Sequence, residues 1–269
     1  AELYGVLRLA LSRPMAKARA ERGRHNVEAM SDRGEGGAMC GRFNLIDSPQ
    51  VQLLCEALGV ALPTQHLRSD IAPGSPIAII HSEATGRAGA AERRVSEAVW
   101  WLLLEPATLA PNYKYASFNS RSDKLNLPRS AAYHPFRESR CLIPASAFVE
   151  GLGDKKTYHK IELEHSAIAF GGVYRRYLNR DTGESVLGAS IITLPPLLPQ
   201  WERIHPKSMP LMIDVDDAGL VEKWLDPAFD RVEEFAELLE PRVRAPMRVT
   251  QIDRPSRWNP IADSFLILA

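Results

Sequence analysis

Cysteine is scarce in this sequence, and no two of its cysteines form a Cys-x-x-Cys pair. Cys40, Cys55 and Cys141 are too few and too scattered for a disulfide framework or a cysteine-ligated zinc site. We therefore expect a reducing, cytoplasmic setting. A long apolar run is missing as well, because the segment ELYGVLRLAL near the start is short and contains Arg8. This excludes a membrane anchor in that segment.

An excess of charge of either sign is also absent, since 33 Lys and Arg residues balance 33 Asp and Glu residues. Nothing in the overall charge predicts nucleic acid, membrane or acidic partners, so any basic binding surface has to be local. Six histidines are dispersed without the spacing of metal ligands, and we interpret them as surface or core residues. These are His25, His66, His81, His134, His159 and His165. We expect no metal and no cofactor.

The first part of the chain differs in composition from the rest. Residues 1–39 combine one short apolar run with the basic tract KARAERGRH and the glycine-rich tract SDRGEGGA, which bury little apolar surface. We predict that residues 1–39 are a flexible upstream extension outside the mature protein and that residues 40–269 form a single domain. Of the three methionines in the extension, only Met39 precedes a reactive residue, Cys40.

Short apolar runs bounded by Gly, Pro or Asp follow Cys40 and predict the strands of a mixed or antiparallel sheet. A helix start signal at Asp47, Ser48 and Pro49 precedes an apolar helical face of Val51, Leu54, Cys55 and Leu58. The tract HSEATGRAGAAERR predicts a polar loop, VSEAVWWLLL a strand and MRVTQIDRPSRW a closing strand. The fold class that follows is α+β, with a strongly twisted, barrel-like β core flanked by short helices.

Four polar or reactive side chains adjoin apolar runs. Cys40 precedes GRF, Asn119 follows YASF, Glu150 ends ASAFV and His205 follows WERI. A carboxylate at the end of a buried strand loses hydration, which favours its protonated form and suits it to proton transfer. Each residue alone has an ordinary structural interpretation. Together, a thiol, a carboxylate, an imidazole and an amide make a complete covalent site.

Five motifs, in this order and at these separations, carry a resemblance: MCGRF, IAPG, WW with a following NSR, CLIPASAFVE and RIHPKSMP. They resemble the SOS response-associated peptidase (SRAP) family over Cys40 to about Asn259. The resemblance implies the SRAP fold and a monomer that binds single-stranded DNA containing abasic sites. It further implies covalent capture of such sites by an N-terminal cysteine, whose amine and thiol close a thiazolidine on the sugar aldehyde, and self-processing that exposes Cys40.

The resemblance also assigns roles to residues. Cys40 would be the nucleophile, and Asn119 would hold the sugar or the backbone near the reacting carbon. Glu150 would deprotonate the Cys40 amine, and His205 would transfer protons as the sugar ring opens and the crosslink reverses. DNA contacts are implied for Gly41, Arg42, Trp100, Trp101, Arg121 and Lys207. Since neighbouring residues on a strand face opposite ways, we expect at least one of the two tryptophans to be a core residue.

The sequence departs from the family pattern at three places. Pro206, Lys207 and Ser208 replace a common Asp-Arg pair after the histidine, and Asp123 and Lys124 replace a Glu-Thr pair. Gly151 replaces the aromatic residue that often follows the glutamate. These changes affect DNA contacts more than the four reactive groups.

Two other classes of protein fit the same residues. One is a thiol peptidase or amidohydrolase that uses Cys40, His205 and Asn119 without DNA. The other is a noncatalytic single-strand binder whose basic residues only hold phosphates. Thiazolidine chemistry, unlike these, needs a free amine on Cys40. We therefore expect the DNA-capturing species to begin at Cys40.

Overall fold

The computed structural model describes residues 41–84 and 91–269. This part of the chain contains three α-helices, which are α1 (Pro49–Ala57), α2 (Tyr133–Glu138) and α3 (Ala218–Leu225). Its thirteen strands are β1 (Arg42–Leu45), β2 (Arg68–Ile71), β3 (Pro76–Ala84), β4 (Ala91–Val99), β5 (Asn119–Arg121), β6 (Arg140–Ala145), β7 (Ala147–Gly151), β8 (Tyr158–Leu163), β9 (Ile168–Leu178), β10 (Ser185–Leu194), β11 (Met209–Pro210), β12 (Met247–Ile252) and β13 (Phe265–Ile267).

The strands form two sheets. The first is open and antiparallel, with the order β13-β12-β8-β7-β1-β2. In the second, β3, β4, β10, β9 and β6 close into a barrel, because β9 pairs with both β6 and β10. Strands β4 and β5 run parallel to β10, so this sheet is mixed. The predicted α+β class with a barrel-like core is therefore confirmed.

Aromatic side chains join the two sheets. Phe43 of β1 packs edge-on against Trp100 and Phe170, with ring centroids 4.9 and 5.9 Å apart. Phe148 of β7 packs against the same Phe170 at 5.5 Å. Phe43, Phe148 and Phe170 are each at most 1% exposed. Burial of side chains of this size contributes roughly 1.5–3 kcal/mol each, so β1 and β7 are held firmly against the barrel.

Helix α1 forms where its start signal and apolar spacing predict it. The Ser48 side chain accepts a hydrogen bond from the Val51 amide, and Pro49 occupies the first turn. The predicted apolar face of the helix is buried, with Cys55 as a small core residue whose thiol is free. In residues 41–84 and 91–269, no helix is both long enough and apolar enough to cross a membrane.

Three of the predicted element assignments differ from the structure. The tract assigned to a polar loop is mostly a hairpin, since β3 continues to Ala84 and β4 begins at Ala91, with Glu83 opposite Glu92. Strand β4 then ends at Val99, before the tryptophans. The strand that closes the described sheet is β13, which pairs with β12. The hairpin forms because cross-strand pairing overrides the polar composition of its residues.

Candidate active site

The chain enters strand β1 beside Glu150. Arg42 lies opposite Val149 and Phe43 opposite Phe148 in an antiparallel register. Gly41, which precedes β1 and is half-buried, therefore comes in next to the residue that follows Val149. Cys40 lies outside the described residues, and peptide geometry ties its Cα to that of Gly41 at ~3.8 Å. The predicted nucleophile is thus bonded directly to the residue that adjoins Glu150.

Glu150 points toward the interior of the protein. It is two residues from Phe148 on β7, so both side chains lie on the face that packs against the barrel. Only 1% of Glu150 is exposed. A carboxyl group this deeply buried is held away from bulk water and acts on the groups that reach it from the protein or from a ligand.

His205 forms a hydrogen bond with Gly151, the residue after Glu150. Its Nδ1 lies 2.6 Å from the Gly151 carbonyl oxygen, and because a carbonyl only accepts, Nδ1 carries the proton. Burial lowers the pKa of His205, and the Lys207 ammonium adds to this against the raising effect of the Gly151 bond. The ring is therefore neutral at pH 7, with Nε2 as a proton acceptor. Within the part of the chain that is described, buried Nε2 has no hydrogen-bond partner.

Trp201 fixes the loop that carries His205. This loop connects β10 to β11, and the Trp201 ring stacks on Phe148 at 6.4 Å with an interplanar angle of 20°. The indole N–H donates to the Ser208 carbonyl at 2.8 Å, and the Trp201 carbonyl accepts from the His205 amide at 2.9 Å. Trp201, whose ring is fully buried, thus holds the segment from His205 to Ser208 through its backbone carbonyl at one end and its indole N–H at the other.

Asn119 lies on the barrel. It is the first residue of β5, opposite Ile191 of β10, and is 8% exposed. The preceding residue, Phe118, packs against Trp100 at 5.9 Å, and Trp100 contacts Phe43 of β1. One layer of aromatic side chains therefore connects Asn119 to the strand that follows Cys40.

The two adjacent tryptophans are both buried. Trp100 is 0% exposed and donates to the Phe118 carbonyl, whereas Trp101 is 3% exposed and donates to the Asn112 carbonyl. The expectation of at least one core tryptophan holds for both residues. Neither ring is exposed enough in this conformation to stack on a base. A DNA contact at this segment stays a prediction, and it would have to be made by the backbone.

Two of the predicted phosphate-binding arginines are paired with carboxylates. Arg42 forms an ion pair with Asp70 of β2 at 2.5 Å. Arg121 forms a two-pronged pair with Asp123, at 2.9 and 2.7 Å. The substitution of aspartate at position 123 thus keeps a carboxylate partner for Arg121. Both arginines are partly or largely exposed, so a phosphate can compete for them.

Two residues beside Glu150 were not predicted as site residues. The Tyr158 ring lies 3.1 Å from the position that a Cβ of Gly151 would occupy, so an aromatic from β8 covers this place. His159 lies directly opposite Glu150 across the β7–β8 pair. The alternation in YHKIEL signals a strand, but only the register of the pair shows which of its residues meets Glu150.

The described residues contain no group of three or more His, Cys, Asp or Glu side chains arranged to hold a metal ion. The roles of Cys40, Asn119, Glu150 and His205 stay predictions, as do the DNA contacts of Gly41, Arg42, Arg121 and Lys207. Of the four reactive groups, Glu150 lies on β7, His205 lies in the loop whose Trp201 stacks on Phe148 of β7, and Asn119 lies on β5 of the barrel.

Comparison with known proteins gives the relationship of the chain. Three solved structures share its fold: a protein from Bordetella bronchiseptica (17% identity, TM-score 0.62, covering 80% of this chain and 100% of that one), a protein from Bacteroides thetaiotaomicron (20%, 0.56, 79% and 92%) and a phage-related protein from Bordetella bronchiseptica (17%, 0.56, 82% and 100%). No curated protein is detectably similar in sequence. The model of the SOS response associated peptidase (SRAP) family matches residues 39–255. The chain therefore belongs to the SRAP family.

Proposed function

We propose that this protein binds single-stranded DNA and captures abasic sites covalently through Cys40 as its N-terminal residue. The observation that carries the proposal is the convergence at Gly41. Gly41, which is joined to Cys40 by a peptide bond, adjoins Glu150 in the sheet. His205 forms a hydrogen bond with the carbonyl of Gly151, the residue after Glu150. Membership of a family named for the SOS response supports a role in DNA damage.

The reaction needs both nucleophiles of an N-terminal cysteine. The α-amine, with an ordinary pKa of about 7.7–8.0, adds to the aldehyde carbon of the opened sugar and loses water to form a Schiff base. The thiol then adds to the same carbon, and its proton passes to the nitrogen as the five-membered thiazolidine closes. The second addition is intramolecular, which favours it strongly.

The buried groups divide the proton transfers between them. Glu150, next to Gly41, takes the proton of the attacking amine. His205, neutral with Nε2 as acceptor, takes and returns the proton of the sugar hydroxyl as the ring opens and closes. Asn119 positions the sugar from the barrel side, and Arg42, Arg121 and Lys207 bind phosphates.

The upstream residues have to be removed for this chemistry. While residues 1–39 are attached, the nitrogen of Cys40 belongs to a peptide bond and cannot form a Schiff base. Cys40 becomes N-terminal either by removal of an initiating Met39 or by self-cleavage before Cys40. In the second case the same buried groups act on the protein's own peptide bond, consistent with the peptidase in the family's name.

Intact mass spectrometry tests the proposal. The full sequence and a chain begun at Met39 are expressed separately, and each is mixed with a single-stranded oligonucleotide that carries one abasic site. We expect a species that begins at Cys40 to gain the mass of the oligonucleotide, less one water, and Cys40→Ala to lose this product completely. Cys55→Ala is the matched control, because that thiol is free but buried in α1.

Two results would contradict the proposal. A chain that begins at Cys40 and forms no adduct would favour the thiol peptidase or the passive binder. A chain that retains residues 1–39 and still forms the adduct would show that the amine of Cys40 is not used.

Binding of the DNA before capture should weaken steeply with added salt, because phosphate contacts dominate this binding.

A further inference from the structure

A polar row crosses the inner face of the open sheet next to the proposed site. In this row Glu150 of β7 lies opposite His159 of β8, which lies opposite Gln251 of β12. Directly opposed residues of antiparallel strands place their side chains on the same face, with Cβ atoms about 5 Å apart. His159 therefore stands beside the carboxylate that the proposed function uses as its base.

Burial along β8 confirms the direction of the His159 side chain. His159 and Ile161 are buried, whereas Tyr158 and Lys160 between and before them are half-buried. Ile161 lies opposite Phe148, whose ring is in the core. His159 is two residues from Ile161 and so shares its face, which is also the face of Glu150.

The turn between β7 and β8 fixes this register. The Asp154 carboxylate accepts hydrogen bonds from the amides of Lys156 and Thr157 and from the Thr157 hydroxyl. These bonds lower the pKa of Asp154 to about 2, so the turn keeps its charged acceptor over the whole working range of pH. A slip by one residue would turn His159 away from the site, and the turn prevents it.

The His159 ring has a buried nitrogen that makes no hydrogen bond within the described residues. Its Nδ1 is shielded from solvent and finds no hydrogen-bond partner in residues 41–84 and 91–269. Buried polar atoms in folded proteins are almost always paired, so an atom of this kind calls for a partner supplied in the working state. The register places two side chains opposite His159 on this face, Gln251 and Glu150, and the carboxylate of Glu150 is the stronger acceptor.

The charge state of the His159 ring is compatible with a role as a hydrogen-bond donor. Glu150 of β7 lies opposite His159, and two charged groups act on the ring electrostatically, Arg203 from the loop before His205 and Asp154 from the turn. Burial lowers the pKa of His159, and Arg203 adds to this against the raising effect of Asp154. The ring is therefore neutral at pH 7 and can donate one hydrogen bond without adding charge to the site.

We propose that His159 is a positioning residue for Glu150, whose carboxylate accepts a hydrogen bond from His159 Nδ1–H when it serves as the base for the Cys40 amine. The role rests on the proposed function. The hydrogen bond stabilises the ionised carboxylate relative to its protonated form. When Glu150 takes the proton of the amine on one oxygen, the other oxygen keeps the bond to His159, so the group stays aligned.

A direct titration of Glu150 tests the positioning. The carboxyl carbon is followed by carbon-detected NMR in wild type and in His159→Phe and His159→Gln, and its signal is assigned by its loss in Glu150→Gln. In His159→Phe, which has an apolar ring and no donor, we expect the midpoint of Glu150 to rise by about one pH unit. In His159→Gln, whose amide can donate, we expect a midpoint close to wild type. An unchanged midpoint in His159→Phe would overturn the inference.

A second measurement needs no variant. The nitrogen chemical shifts of the His159 ring in the wild-type protein distinguish protonated Nδ1 from protonated Nε2. The inference requires the proton on Nδ1, and a ring that carries it on Nε2 instead would overturn it. This readout decides the matter even where His159→Phe does not fold.

Capture kinetics then separate this inference from the proposed function. In His159→Phe the acidic limb of the pH–rate profile should move to higher pH by the same shift as the Glu150 midpoint, and the exposed residue His134 supplies the control His134→Phe. If wild type forms no adduct that depends on Cys40, the proposed function fails while the two NMR measurements still decide the role of His159. If capture is normal and the midpoint does not move, only the role of His159 fails.

Discussion

The back of the barrel and the edge where β1 begins use buried polar groups in opposite ways. At the back, Arg140 of β6 is 3% exposed, and its guanidinium donates to backbone carbonyls of α2, α3 and the segment after α3. At the edge, three buried atoms have no hydrogen-bond partner within the described part of the chain: His159 Nδ1, His205 Nε2 and Ser208 Oγ. Arg140 thus uses its donors to hold the fold, whereas several polar atoms at the edge are available to a ligand, which is typical of a functional site.

The arginines show the same difference. Arg140 holds main-chain carbonyls that no ligand can replace, whereas Arg42 and Arg121 hold the carboxylates of Asp70 and Asp123 at the surface. A phosphate of DNA offers the same geometry as a carboxylate and can take over such a guanidinium. We therefore expect loss of Arg140 to affect stability, and loss of Arg42 or Arg121 to affect the proposed binding of DNA.

Removing Arg140 should have the largest effect on stability and little on chemistry. Burial lowers the pKa of Arg140 to about 10, so it remains charged at pH 7 and its loss leaves several buried carbonyls without a donor. We expect Arg140→Met to lower the free energy of unfolding by roughly 3–5 kcal/mol in urea titrations. Adduct yield at temperatures where the variant is folded should match wild type.

Arg180→Met is the matched control for this substitution. Arg180 is exposed and lies in the turn after β9, so its loss should change the free energy of unfolding by less than about 0.5 kcal/mol. A wild-type urea midpoint for Arg140→Met would show that the carbonyls are satisfied without the guanidinium and would remove the contrast between the two regions.

Lowering the pH should reduce the stability of both regions, but it should impair capture of abasic sites only through the edge that carries His205. Burial lowers the pKa of His81 at the barrel and of His205 at the edge. Between the ordinary histidine value near 6.5 and the lower folded value, the unfolded chain binds more protons than the folded one. The stability that each neutral ring allows is therefore complete above about pH 6.5 and is lost as the pH falls, by up to about 1.4 kcal/mol per unit for each ring.

Two variants divide the effects of acid between the regions. His81→Gln can keep the bond to the Ser96 hydroxyl, so we expect a shallower loss of stability with falling pH and an unchanged acidic limb of capture. His205→Asn can keep the bond to the Gly151 carbonyl but lacks Nε2, and we expect capture to slow about 100-fold. Unfolding in urea and adduct formation are measured from pH 5 to 8. Wild-type capture by His205→Asn would mean that Nε2 takes no part.

What the sequence predicted depended on how local the signal was. Helix α1 was predictable because its cap and its apolar spacing fall within ten residues. The β3–β4 hairpin was missed because His81 to Arg94 has polar composition, and only pairing with the rest of the barrel makes its first residues buried. Glu150 and His205 were chosen from motifs, but the position of His159 opposite Glu150 follows from a strand register that no local pattern contains.

The same limit applies to the surface charges. Arg121 and Asp123 are two residues apart, so their pairing could have been foreseen. Arg42 and Asp70 are separated by a helix and a turn, and β1–β2 pairing alone brings them together. A candidate DNA-binding residue can thus be named from sequence, whereas a competing carboxylate that is distant along the chain, as Asp70 is from Arg42, cannot.

The smallest expected effect concerns that competitor. If Asp70 competes with phosphate for Arg42, Asp70→Asn should tighten binding of undamaged single-stranded DNA about two- to fivefold at low salt, the range expected for loss of one exposed ion pair. The gain should shrink as salt is added, because screening weakens the ion pair and the phosphate contact alike. Fluorescence anisotropy with a labelled oligonucleotide measures it, with Asp216→Asn as the control because it makes the same charge change at an exposed site outside β1 and β2. Equal gains in both variants would mean that only the net charge matters, and Arg42 would then belong with Arg140 among the residues that serve the fold.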